Sequence, residues 1–128
     1  MPKPSKLQGK FLKADLLSEN CPSRQILKHV TSQWAVLIFV ALSGGEKKRF
    51  SELRRDLQGV SEKMLSQTLQ KLAVDGFVTR TSMDTVPPHV EYHLSPLGKK
   101  ACKKVIALAE WIEDNLHEVL ENQRVNNS

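Results

Sequence analysis

Apolar and polar residues change their spacing several times along the chain, and these changes predict its elements. Cys21-Pro22 opens a first helix, because proline is favoured in the first turn of a helix. Ser32 is suited to cap a second helix over residues 33–43, which Gly44-Gly45 ends. This second helix is apolar nearly all round, so we expect it at the buried centre of a domain.

The most informative pattern follows in residues 50–94. Residues 51–57 predict a short amphipathic helix, residues 58–61 a turn around Gly59, and residues 62–75 a second helix that Gly76 closes. Two alternating segments, 77–83 and 89–94, predict a hairpin joined by the proline-containing loop 84–88. Helix, glycine turn, helix and hairpin in this order predict a winged helix-turn-helix, which most commonly places one helix in a DNA major groove.

A last helix is predicted from Ser95, as N-cap, and Pro96 to about Asn122. Its apolar residues recur every three or four positions and are Leu97, Ala101, Val105, Leu108, Ile112, Leu116, Val119 and Leu120. At ~1.5 Å per residue such a helix spans roughly 40 Å, more than a small domain covers. We therefore expect a second copy of the chain to cover part of this stripe, in a homodimer held by the C-terminal helix and the N-terminal segment.

These elements predict an α+β, mostly α fold: a winged helix-turn-helix with a two-stranded wing and a long C-terminal dimerisation helix. The length of 128 residues suits one domain. We expect residues 1–20 to be a basic, partly ordered lead, residues 21–122 to be the domain, and residues 123–128 to be a tail.

No membrane segment is expected from the sequence. The longest apolar run, residues 34–42, is too short to cross a bilayer. The lysine-rich start is not followed by the apolar core of a signal peptide. The sequence therefore predicts a cytoplasmic protein without membrane contact.

Charge is unevenly distributed along a chain whose formal net charge is +5. Basic residues occupy the start of the chain and the start of the helix-turn-helix: Lys3, Lys6, Lys10, Lys13, Lys47, Lys48, Arg49, Arg54 and Arg55. Acidic residues collect near the C-terminus: Glu110, Glu113, Asp114, Glu118 and Glu121. Solvated helix faces explain any one of these charges, but the segregation favours a polyanionic partner such as double-stranded DNA.

The second helix of the motif has two chemically different faces. Leu65, Leu69 and Leu72 are predicted to face the domain, as in any amphipathic surface helix. Its other face carries side chains suited to base edges, and its N-cap frees first-turn N–H groups for a phosphate. The predicted recognition-helix contacts are Ser61, Glu62, Lys63, Ser66, Gln67 and Gln70.

Further contacts to the DNA backbone are expected from basic residues around this helix and from the wing. The candidates are Arg49, Arg54, Arg55, Lys71, Arg80, Pro87, Pro88 and His89. The two prolines stiffen the tip, because each restricts its own φ and the preceding residue. An ordinary hairpin with a stiff turn explains the tip equally well.

Three residues of the second wing strand raise the question of a metal site. His89, Glu91 and His93 point to one face, since strand residues two apart share a side. A further ligand is missing nearby, so we expect a solvated wing face and neither a metal nor another cofactor.

Catalytic motifs are absent from the sequence. It contains no Gly-x-x-x-x-Gly-Lys loop, no nucleophile elbow and no His-Glu-x-x-His. His29 and His117 lack an evident catalytic partner and are expected to be packing or surface residues. We therefore expect no enzymatic activity.

Several motifs together resemble the HxlR-type transcriptional regulators over about residues 21–120. These motifs are Cys21-Pro22, Trp34-Ala35-Val36-Leu37, Phe50-Ser51-Glu52-Leu53-Arg54-Arg55, Gly59-Val60-Ser61, Leu72-Ala73-Val74-Asp75-Gly76-Phe77-Val78-Thr79-Arg80, Val86-Pro87-Pro88-His89-Val90-Glu91-Tyr92 and Leu94-Ser95-Pro96-Leu97-Gly98. The resemblance implies a bacterial winged-helix homodimer, related to the MarR group, that binds palindromic operators. One departure is Ala73, where the family more often has an acid.

The resemblance also draws attention to Cys21. Several members of the family sense oxidants or electrophiles through a cysteine just before the first helix, where Cys21 stands. The helix N-terminus and the nearby Arg24 and Lys28 favour negative charge there, although a plain small residue remains the alternative. We expect Cys102 to be a buried small hydrophobe, and a Cys21–Cys102 bridge across a dimer depends on geometry.

The sequence therefore predicts a homodimeric, sequence-specific DNA-binding regulator, a repressor, switched by oxidation or electrophile modification of Cys21. One alternative is a winged-helix module whose basic face and wing dock an acidic protein partner. The other is a regulator gated by a small molecule without thiol chemistry.

Overall fold

The computed structural model describes residues 15–127 of the chain. The described elements are α1 (Pro22–Thr31), α2 (Gln33–Leu42), β1 (Lys48–Arg49), α3 (Phe50–Asp56), α4 (Glu62–Val74), β2 (Val78–Met83), β3 (His89–Leu94), α5 (Pro96–Asp114) and α6 (Leu116–Asn126). The helix-turn-helix is α3 and α4, and the wing is the β2–β3 hairpin. This confirms the predicted fold class. The lysines at positions 3, 6, 10 and 13, and most of the predicted N-terminal lead, lie outside the described residues.

Three helices begin at the serine N-caps that the sequence predicts. The Ser32 hydroxyl accepts from the Ala35 N–H at 3.3 Å, and the Ser61 hydroxyl accepts from the Met64 N–H at 3.0 Å. The Ser95 hydroxyl accepts from the Gly98 N–H at 2.9 Å. Each cap satisfies a backbone donor that a helix end otherwise leaves without a partner.

The core lies between α2 and α4. Ile38, Phe39 and Leu42 of α2 are fully buried, as are leucines of α3 and α4. The Phe39 ring packs edge-on against Phe77, with 6.2 Å between ring centroids. The predicted central position of α2 is correct for this inner face. Its outer face is different, because Val40 remains 43% exposed.

A third strand accompanies the wing, which the sequence analysis did not predict. β1 pairs with β3, so the sheet order is β1–β3–β2, and both pairings are antiparallel. Lys48 lies opposite Tyr92, and Arg80 lies opposite Tyr92 on the other side of β3. Residues 48–49 are too few to show an alternating pattern, so only the long-range pairing reveals this strand.

The predicted single C-terminal helix is wrong in two respects. The helix breaks at Asn115, whose φ and ψ are −112° and 10°, and α6 continues past residue 122 to Asn126. The Asn115 side-chain amide donates to the Trp111 carbonyl oxygen at 2.8 Å, a local bond that competes with regular helix bonding. The apolar stripe nevertheless stays exposed in the described chain on both sides of the break, at Leu97, Leu108, Trp111, Ile112, Leu116, Val119 and Leu120.

The described part of the chain contains no single helix with both the length and the apolar character to cross a membrane. One bent pair, α1 with α2 at 65°, meets those requirements by length and composition only.

Candidate DNA-binding interface

The structure separates the two faces of α4. Leu65, Thr68, Leu69 and Leu72 are buried, and the Thr68 hydroxyl donates to the Met64 carbonyl oxygen at 2.7 Å. The polar residues on the other face are exposed: Ser61, Glu62, Lys63, Ser66, Gln67, Gln70 and Lys71. This helix therefore presents an almost continuous row of hydrogen-bonding groups to an outside partner.

A cleft of about 450 Å³ separates α4 from the wing. Three predicted site residues meet there: Ser66 and Gln70 from α4, and Arg80 from β2. Tyr92 of β3 also lines the cleft, although the sequence pattern gave it no role in the site. The signal that identifies Tyr92 is its register opposite Arg80, which an alternating pattern alone does not reveal.

Basic residues of the first motif helix are partly engaged with acids. The Arg54 guanidinium lies 3.6 Å from the Glu62 carboxylate, so it partly neutralises an acid at the start of α4. Lys48 Nζ lies 2.6 Å from Asp56 Oδ2. Arg49 and Arg55 are exposed and form no ion pair with another residue of the 15–127 range. The cations most available to a phosphate here are therefore Arg49 and Arg55.

At the wing tip, Val86, Pro87 and Pro88 are exposed, whereas His89 is half-buried. His89 Nδ1 lies 3.0 Å from the Thr85 hydroxyl oxygen, and Nε2 lies 3.2 Å from Glu91 Oε2. Both ring nitrogens of His89 therefore have protein partners. In the described structure, no group of three or more His, Cys, Asp or Glu side chains is arranged to hold a metal ion.

The two cysteines are free and buried. Cys21 is the N-cap residue of α1 and is 4% exposed, so an oxidant reaches its thiol only after local opening. The Cys102 thiol donates to the Phe39 carbonyl oxygen at 3.4 Å, and burial raises the pKa of Cys102. The prediction that Cys102 is a buried small residue is confirmed.

One contact at the back of α4 is absent from the sequence analysis. His29 Nδ1 of α1 lies 2.5 Å from Asp75 Oδ2, at the C-cap of α4. The two side chains are mostly buried, at 22% and 14% exposure. This bond ties the helix that begins beside Cys21 to the end of the recognition helix.

A polar second helix in a helix-turn-helix, flanked by free cations and a wing, defines a DNA-binding winged-helix protein. The HxlR-like helix-turn-helix family matches residues 29–120, and the chain belongs to that family.

Relatives and solved structures agree with this assignment. The chain is 58% identical over 114 residues to the uncharacterised HTH-type transcriptional regulator YtfH of Escherichia coli (strain K12), covering 89% of this chain and 90% of YtfH. The structure of the transcriptional regulator ytfH from Salmonella typhimurium superposes with a TM-score of 0.81, at 58% identity, covering 87% of this chain and 98% of that one. The chain is an HTH-type transcriptional regulator.

A second similar structure is the redox regulator HypR in its reduced form. It superposes with a TM-score of 0.69 at 35% identity, covering 79% of this chain and 98% of that chain. The expectation that this chain is not an enzyme is consistent with relatives that are transcriptional regulators.

Proposed function

We propose that this chain is a sequence-specific repressor that binds a palindromic operator as a homodimer and is switched by oxidation of Cys21. The observation that carries the proposal is the exposed polar face of α4 beside the wing, with buried leucines on its other side. A helix with this face, held rigidly by a core, suits the major groove of DNA.

Within α4, Lys63 and Gln67 are the side chains assigned to base edges. They stand one helical turn apart and are both exposed, which suits a helix laid along the major groove. Ser66 and Gln70 line the cleft beside the wing. The residues assigned to phosphates are Ser61, Arg49, Arg55 and Lys71. Glu62 is held by Arg54. The wing tip contributes Pro87, Pro88 and His89.

Replacing Gln67 with alanine tests base reading. The variant should weaken operator binding by about 1–3 kcal/mol and leave binding to a random duplex unchanged, because a bidentate amide contact discriminates between bases. Fluorescence anisotropy with both duplexes measures the difference. Gln25→Ala, on α1 outside the helix-turn-helix and wing, serves as the control and should match the wild type. An equal loss on both duplexes would contradict base reading by Gln67.

The apolar stripe of α5 and α6 supports the homodimer. Trp111 is 60% exposed and Leu120 is 51% exposed, far more apolar surface than one small domain ordinarily leaves in a helix of this kind. A two-fold symmetric pair buries the same stripe on both copies. It also presents two recognition helices to two half-sites, about one turn of DNA apart, which matches a palindromic operator.

The thiol switch rests on the position of Cys21. Cys21 occupies the N-cap position of α1, and the same helix carries His29, which binds Asp75 at the end of the recognition helix. A shift of α1 is therefore transmitted to the end of α4 through the contact between His29 and Asp75. The similarity to the redox regulator HypR in its oxidised form, at 35% identity and a TM-score of 0.67, supports a redox response in the same fold.

Cys21→Ser tests this switch. The variant should bind operator DNA like the reduced wild type, because serine has nearly the same size, and should lose the response to oxidant. Cys102→Ser is the matched control and should keep the response. Anisotropy before and after diamide treatment measures both variants. A Cys21→Ser protein that still responds would place the sensor elsewhere.

The proposed function is tested on the promoter region beside the gene for this chain. Reduced protein should bind that duplex more tightly than a random one, and oxidation should change the affinity reversibly. Tight binding that ignores oxidant would support a small-molecule effector in place of the thiol. If neither form prefers the promoter duplex, autoregulation is excluded and a protein-docking role gains support.

A further inference from the structure

The cleft between α4 and the wing is lined by polar side chains from two neighbouring strands and from α4. Antiparallel register places Arg80 directly opposite Tyr92, and side chains of directly opposed strand residues stand on the same face. Lys48 is the third residue of this row, but its ammonium is engaged by Asp56. Arg80 is therefore the cation that the row leaves available to a ligand.

The polar side chains that line the cleft have no hydrogen-bond partner among residues 15–127. They are the hydroxyls of Ser66 and Tyr92, the amide of Gln70 and the guanidinium of Arg80. All four can donate, and none of the described residues that line the cleft is a carboxylate. The cleft is therefore suited to an oxyanion.

The remaining lining is apolar. Leu69, Ala73 and Val74 form this part, and Val74 is 80% exposed although it ends the recognition helix. An occupant that satisfies both parts carries anionic oxygens next to a compact carbon ring. The sugar–phosphate backbone of DNA has that composition, with its deoxyribose carbons beside each phosphodiester.

We propose that this cleft seats one strand of the DNA backbone, with a phosphate between the Arg80 guanidinium and the Tyr92 hydroxyl and a deoxyribose against Val74. The proposal rests on the proposed DNA-binding function and reassigns part of the recognition helix. Ser66, Gln70 and Val74 follow one another at helical spacing along the row that faces the wing, so they contact backbone. Base reading is then left to Lys63 and Gln67.

Tyr92→Phe tests the proposed backbone contact in the cleft, because it removes the tyrosine hydroxyl and keeps the ring. Loss of one hydrogen bond to a phosphate should weaken binding about threefold to tenfold, and equally on the promoter duplex and a random duplex. Gln67→Ala should weaken the promoter complex alone. If Tyr92→Phe binds both duplexes as tightly as the wild type, or loses affinity only for the promoter duplex, the proposed backbone contact is overturned.

A neutral methylphosphonate, moved along the duplex one phosphate at a time, locates the contact. At the seated phosphate the wild type should lose affinity, and Tyr92→Phe should cause no further loss there. If the effects of Tyr92→Phe and every methylphosphonate simply add, the hydroxyl contacts no phosphate and the proposal fails.

Arg80→Gln gives an independent measurement on an exposed strand position. It should reduce the slope of log K against log salt concentration by about 0.9, whereas Tyr92→Phe should leave the slope unchanged. An unaltered slope for Arg80→Gln would overturn the proposed phosphate contact in the cleft, even if Tyr92→Phe fails to fold. If these variants match the wild type while Gln67→Ala still loses promoter preference, the cleft proposal fails alone. If the wild type binds no DNA, both proposals fail.

Discussion

Gly98→Ala is expected to destabilise the domain by about 3 kcal/mol or more, with loss of folding at moderate temperature. A Cβ built at Gly98 lies 1.8 Å from the Phe77 carbonyl oxygen and 2.8 Å from the Phe77 carbonyl carbon. Both atoms are backbone, so neither moves aside as a flexible side chain does. The first turn of α5 therefore has to separate from the chain segment that leads into β2.

The sign of this effect discriminates between two physical causes. Gly98 lies within α5, where helix propensity alone favours alanine over glycine by about 1 kcal/mol. The close approach to Phe77 predicts the opposite sign and a larger magnitude. Chemical denaturation followed by circular dichroism measures the free energy of unfolding.

Gly44→Ala provides the matched control for this substitution. A Cβ at Gly44 has its nearest neighbour 3.9 Å away, at a carboxylate oxygen of Glu46. We expect a change within about 1 kcal/mol of the wild type. A Gly98→Ala protein as stable as the wild type or as Gly44→Ala would show that α5 does not approach the Phe77 carbonyl group so closely.

Leu120→Asp is expected to convert the proposed dimer to monomers and to weaken operator binding by a factor of about 100 or more. In a symmetric dimer the substitution introduces two carboxylates into one apolar interface, and an uncompensated buried charge costs about 3–5 kcal/mol. A monomer contacts only one half-site. Sedimentation velocity measures the association state, and anisotropy measures DNA binding.

Asn122→Asp adds the same carboxylate two residues along α6, at an exposed position outside the apolar stripe. This control should remain dimeric and bind DNA nearly as well as the wild type. A Leu120→Asp protein that is still dimeric would move the interface away from α6. A Leu120→Asp monomer with full operator affinity would contradict the need for two copies.

Much of the fold follows from local sequence signals. Ser32, Ser61 and Ser95 each stand before a helical pattern, and each accepts the backbone N–H that the pattern predicts. The alternation in the hairpin also predicts the wing. These features depend on neighbouring residues, so the sequence contains most of the information that determines them.

Other features leave no signal in the hydrophobic pattern of the sequence. The spacing of the apolar stripe continues smoothly past Asn115, yet the side chain of that residue bonds to Trp111 and the helix breaks. The pairing of β1 with β3 brings Lys48 to Tyr92, and two residues alone show no strand pattern. The hydrophobic pattern misses the first feature because a single local side-chain bond accompanies the break, and it misses the second because a long-range strand pairing determines it.

The sequence predicts part of the candidate site, because some of its residues follow a local pattern and others depend on the packing of distant elements. Polar residues of α4 were identified from helical spacing, because one face of a helix shows this directly. Tyr92 was missed, since its alternation with Val90 and Leu94 suggests only a core-facing residue, whereas the structure packs it against the core and also places it in the lining of the cleft. The burial of Cys21 and the His29–Asp75 bond likewise require the packing of α1.

Selection of bound sequences from a library of random duplexes tests the central claim most directly, because it does not depend on knowing a target gene. Reduced wild-type protein should enrich an inverted repeat whose half-site centres are about 10 bp, or a multiple of that, apart. Gln67→Ala should relax the enriched bases within each half-site. Recovery of sequences with no enrichment, by protein that is folded and binds DNA, would contradict sequence-specific recognition.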